Sequence, residues 1–236
     1  MAVAGVPTEL GTEKISKLLR QYAVPAIIAM TASSLYNMVD SIFIGHGVGK
    51  FAIAGLALTF PLMNLGAAFG ALVGVGASAT ISMLLGQKNY EMAQKVLGNV
   101  VTLNTIIGIV YSIVFLIFLD PILYFFGASE NTIGYARDYM VVILLGNIIT
   151  HMYLGLNAVL RSAGLPKKSM YMTIFTVIIN AILDPLFIYV FKWGIQGAAA
   201  ATIISQSLAL CWTRINQYLL TYIYHRGNHR LLHMSH

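Results

Sequence analysis

Six long apolar runs, at about residues 20–45, 51–84, 94–119, 132–160, 169–190 and 195–220, constrain this chain more than any motif in it. Each is near or above the roughly 20 residues that an α-helix needs to cross a bilayer's hydrocarbon core. Lipid offers no hydrogen bonds to a backbone, so only helices and closed barrels span it. Barrel strands alternate apolar and polar residues over segments of about ten, whereas these runs are continuously apolar and rich in Gly and Ala. The expected fold is an all-α membrane protein: a six-transmembrane-helix bundle over residues 20–220, with an N-terminal segment 1–19 and a basic tail 221–236. With 58% hydrophobic and 9% charged residues, little sequence is left for an ordinary soluble domain.

Basic residues are retained on the cytoplasmic side during insertion. In a six-span topology Lys14, Lys17, Arg20, Lys88, Lys95, Arg161, Lys167, Lys168, Arg214, Arg226 and Arg230 share one side, and only Lys50, Arg137 and Lys192 the other. Both termini are therefore expected in the cytoplasm, with the protein in the cell (inner or plasma) membrane. The net charge of +6 follows from that topology and from contact with anionic membrane lipids. It does not form a basic, aromatic-interleaved face, so no nucleic-acid partner is expected. The first run is too long for a cleavable signal peptide. Cys211, the single cysteine, cannot close an intrachain disulfide and is expected as a packed, inert thiol. His225, His229 and His233 would share one helical face, with His236 beyond. No carboxylate or thiolate joins them, so they read as an incidental tail and no metal site is expected.

Gly66, Gly70 and Gly74, with Ala67, Ala71, Ala77 and Ser78 nearby, make a smooth strip for close helix approach, and residues 194–201 repeat the small-residue pattern. Pro25 and Pro61 each remove a helical hydrogen bond and favour a kink.

Carboxylates inside such runs are costly, and by default they mark ion or substrate pathways. Asp40 lies in the first run and Asp184 in the fifth, both in the half of the membrane away from the basic side. Asn180 is one helical turn before Asp184 and on the same face. Pro185 has no N–H to give the Ala181 carbonyl, which is left for a cation, a water or a hydroxyl such as that of Thr202. These are oxygen ligands suited to sodium, and they would equally hold a proton. Two carboxylates in low dielectric repel, so one is expected to take up a proton unless a cation intervenes. A pair of neutral, hydrogen-bonded acids pinning two helices is the structural alternative. Tyr36, Asn37, Tyr139, Asn157 and Met172 are amphipathic or adaptable groups suited to lining a substrate cavity, although each type also serves as ordinary helix-interface glue.

Four stretches together resemble the multidrug and toxic compound extrusion (MATE) transporters, in the branch similar to the DNA-damage-inducible F proteins. They are Pro25 followed by residues 36–45, Leu160-Arg161-Ser162-Ala163-Gly164, Asn180 to Pro185, and Gly194-Ile195-Gln196-Gly197-Ala198-Ala199 with Thr202. The similarity runs from about residue 10 to about 210 and then fades. It implies the N-terminal six-helix lobe of a twelve-helix antiporter that takes in H+ or Na+ and expels amphipathic organic cations, with no other cofactor. In that picture Asp40, Asn180, Asp184 and Thr202 hold the coupling cation. Loading there bends the first helix at Pro25. A second lobe, from a copy of this chain or from another, is implied as partner.

No enzyme is expected: phosphate loop, zinc-protease helix and nucleophile elbow are all missing. Two rival readings are a transport-inactive lobe that acts only through assembly, and a lipid-linked saccharide flippase. The flippase would want cationic residues in its cavity for an anionic headgroup, where this chain has acids.

Overall fold

The computed structural model describes residues 13–215, so the histidine tail lies outside the described residues. Eight α-helices occur among them: α1 Ile15–Gly47, α2 Lys50–Gly86, α3 Tyr90–Ile117, α4 Leu119–Phe125, α5 Ile133–Leu145, α6 Asn147–Ser162, α7 Pro166–Pro185 and α8 Gly194–Ile215. A π-helical turn, Leu186–Val190, continues α7. Five of these segments are long and apolar enough to cross a membrane. The pair α5 and α6, bent by 60° at Gly146, makes a sixth. The protein is an all-helical, multi-pass membrane protein.

Local chemistry marks several boundaries. The Asn89 side chain caps α3 by accepting a hydrogen bond from the Met92 N–H at 3.2 Å. Gly164, at φ 82, turns the chain into α7, where Pro166 occupies the first turn that tolerates it. The short helix α4 was not legible as a separate element. Its Asp120 forms a two-pronged ion pair with Arg137 of α5, with the Nε···Oδ1 arm at 2.7 Å, and this clasps α4 to the fourth span.

The fourth apolar run, expected as one continuous span, breaks after Leu145. A methyl group built on Gly146 would stand 2.5 Å from the Ile203 side chain, so α8 passes where any larger residue would block it. The glycine strip of α2 faces α6: a methyl on Gly70 would lie 3.0 Å from the His151 Cα, and one on Gly74 only 2.6 Å from the Gly155 Cα. Ala198, Ala199 and Ala201 of α8 are fully buried, as small residues at a helix interface should be.

Helix α1 is the least embedded element. Its buried residues are Pro25, Asp40 and Ile44, and it packs chiefly on α7. Cys211 is exposed on α8 rather than packed, which corrects the expectation from hydropathy. In lipid an apolar outward face costs nothing, so an apolar neighbourhood does not imply burial against protein.

Candidate functional site

Helix α7 brings Asn180 and Asp184 to the same buried face, 1% and 0% exposed, and the Asn180 Nδ2 donates to Asp184 Oδ1 at 3.2 Å. Helix α1 presents Asp40, 5% exposed, to that face, and the two carboxyl groups are near enough to interact electrostatically. Like charges that close repel unless a proton or a cation lies between them. Asp40 Oδ1, Asp184 Oδ2 and Asn180 Oδ1 are buried without a hydrogen-bond partner in the protein. Three unpartnered oxygens on two helices are candidate ligands for a hard cation, or for a proton. Pro185 ends the regular α-helix one residue later and the backbone widens into the π-helical turn, as a missing N–H allows.

Thr202, on α8, does not serve the Ala181 carbonyl. Its Oγ1 is 2.7 Å from the Tyr36 hydroxyl, which joins α8 to α1 one helical turn from Asp40. Tyr36 and Thr202 both line a cavity of about 410 Å³, and Asn37 lines it beside them. The Tyr36 end of that hydroxyl pair is within electrostatic reach of both acids.

Three residues expected on the cavity wall are not among those that line it. Tyr139, 1% exposed, stands within electrostatic reach of Asp40, Asp184 and Tyr36, and so backs the acid pair. Met172 is fully buried in the apolar cluster with Val159 and Leu160. Asn157 is a hub nearer the basic end: its Oδ1 accepts from Ser169 Oγ at 2.5 Å and Arg161 Nη1 at 3.0 Å, and its Nδ2 donates to Thr173 at 3.3 Å. Every polar group of Asn157 is thus occupied in tying α6 to α7. In each case the side chain points to a neighbouring helix, which hydropathy does not report.

The cavity wall also contains Asn147, Thr150 and Tyr153 of α6, and Gln206 of α8, none singled out from sequence. A signal existed. Asn147, Thr150 and Tyr153 recur every third residue, which puts polar groups along one helical face of an otherwise apolar run.

The MatE family model matches residues 25–186, a stretch that takes in α1 from its proline, the acid pair and most of the cavity wall. The chain belongs to the MatE family. Among curated relatives, the multidrug export protein MepA of Staphylococcus haemolyticus is 31% identical over 195 residues, covering 83% of this chain and 43% of the relative. MepA of Staphylococcus aureus is 30% identical over the same coverage. Among solved structures, a MATE in the bent conformation superposes with a TM-score of 0.82 at 29% identity, covering 94% of this chain and 49% of that one. A MATE in the straight conformation gives 0.81 at 29%, covering 93% and 48%. This MatE chain spans about half the length of the curated relatives it matches.

Proposed function

We propose that this chain is one lobe of a cation-coupled multidrug antiporter that expels amphipathic organic cations in exchange for H+ or Na+. The observation that carries this reading is the nearness of acid site and cavity: Tyr36, which lines the cavity, is within electrostatic reach of both acids. Asp40 and Asp184 hold the coupling ion with Asn180, and Thr202, bonded to Tyr36, belongs to the cavity wall. Whatever loads the acids changes the charge beside that wall. A ligand in the cavity and an ion on the acids then bias one another's binding, as two linked sites must. Helix α1 is the element suited to move, because it carries Asp40 and Tyr36 yet is scarcely buried, with Pro25 in its interior. The bent and straight forms of the similar structures support a helical lobe with two arrangements.

The remaining half of the transporter is a second lobe, supplied by a copy of this chain or by another polypeptide. It closes the central cleft against which this lobe rocks. The end rich in Lys and Arg faces the cytoplasm of the plasma membrane, which places the acid pair in the outer half. The coverage of MepA, a multidrug export protein, supports export over the flippase reading.

Efflux of a fluorescent cationic dye from vesicles carrying the chain tests the proposal. The wild type, alone or with a second lobe, should expel dye as H+ or Na+ runs inward down an imposed gradient, and the Asp40→Asn/Asp184→Asn double variant should not. Equal efflux by both would remove the coupling role of the acids.

A further inference from the structure

We infer that the carboxamides of Asn147 and Gln206 form an uncharged hydrogen-bonding subsite on the inner wall of the cavity, for the carbonyl, hydroxyl or amide end of a flat aromatic molecule. The inference deepens the export reading, on which its place in a transport cycle rests.

Asn147 is the first residue of α6, just past the 60° break, where the chain turns a polar group into the lobe instead of towards lipid. It is 3% exposed, and its Nδ2 pairs with His151 Nε2 at 3.2 Å. His151 is itself fully buried, its ring 5.8 Å from that of Tyr111, and so it holds the Asn147 amide in one orientation. The Oδ1 of Asn147 has no hydrogen-bond partner in the protein. Unlike the sealed carboxamide of Asn104, it is not among the fully buried unpartnered atoms, and Asn147 lines the cavity. On the adjoining α8, Gln206 accepts a hydrogen bond from Thr150 of α6 at 2.7 Å through Oε1, which leaves its amide N–H groups for a ligand.

An acceptor on α6 and a donor on α8 are thus each fixed by a second protein group before any ligand arrives. Tyr111 and Tyr153 line the same cavity and add aromatic, largely apolar edges to its wall. No Asp, Glu, Lys, Arg or His is among the lining residues, so recognition at this wall does not read the ligand's charge. Positive charge, where the substrate has it, is sensed only at a distance by the acids. A fixed, desolvated amide discriminates strongly against molecules that cannot pair with it, because binding them leaves it buried and unmatched.

The test is calorimetric titration of the full chain in lipid nanodiscs at pH 6 with two probes. One is 4-methylumbelliferone, a neutral hydroxycoumarin with a carbonyl and a hydroxyl. The other is tetraphenylphosphonium, an aromatic cation without hydrogen-bonding groups. Wild type should bind both. Asn147→Leu and Gln206→Leu should each weaken coumarin binding by about tenfold, the loss of one buried hydrogen bond, and leave phosphonium binding within about threefold. Retained phosphonium affinity also shows that each variant is folded. Equal weakening of both probes, or no weakening of the coumarin in either variant, overturns the subsite. Wild-type binding of the phosphonium without the coumarin removes the subsite and leaves the export reading standing. Binding of neither probe removes both.

Discussion

Replacing Gly74 with alanine tests the packing on which the site depends, because α2 holds α6 in place and α6 supplies Asn147, Thr150 and Tyr153. The new methyl would stand 2.6 Å from both the Gly155 Cα and the Gly155 carbonyl oxygen, all of it backbone that no side-chain rotation relieves. Carbon atoms pack best at roughly 3.5–4.0 Å, so the two helices must separate by about 1 Å at this crossing. A gap of that size forfeits a quarter to a half of each affected dispersion contact, and overpacking of this kind typically costs about 1–3 kcal/mol. The gain in helix propensity, up to about 1 kcal/mol, offsets part of it. Gly76→Ala is the matched control, since it makes the same chemical change two residues away, where a methyl meets nothing within 4 Å. Unfolding equilibria in mixed detergent micelles should place Gly74→Ala below the wild type and Gly76→Ala at or slightly above it, the two differing by about 1–3 kcal/mol. Gly74→Ala as stable as Gly76→Ala would refute the close approach of α2 and α6.

Asp184→Asn should abolish ion-coupled dye efflux and Asp40→Asn should weaken it severely, as followed by dye fluorescence in energised vesicles; wild-type rates in both would sink the coupling role. Pro25→Ala should slow the transport cycle while leaving drug affinity intact, which rate and binding measurements separate; lost affinity would show that Pro25 supports the cavity instead. Arg137→Gln breaks the clasp to Asp120, but both side chains are nearly half exposed, so the expected loss is only about 0–1 kcal/mol, and a much larger drop in thermal stability would mean that α4 anchors the fourth span.

The order of residues alone settles the helical class and the number of spans, because a backbone in lipid has so few ways to satisfy its hydrogen bonds. It also settles that Asn180 and Asp184 share a face, since a four-residue interval within one helix needs no tertiary information. The partners of that face were another matter. In a soluble helix the buried side announces itself by apolar periodicity, but here lipid and protein interior are equally apolar, and the period of hydrophobicity no longer says which residues meet a neighbour. Tyr139, Asn157 and Met172 sit in apolar runs like Tyr36 and Asn37, yet only Tyr36 and Asn37 line the cavity. The break at Gly146 was hidden for a related reason. The residue at the break must be glycine because of Ile203, 57 residues away in sequence, whose side chain fills the space a Cβ would need. Tertiary packing alone turned Asn147 inward at that break and brought Gln206 to the same cavity wall.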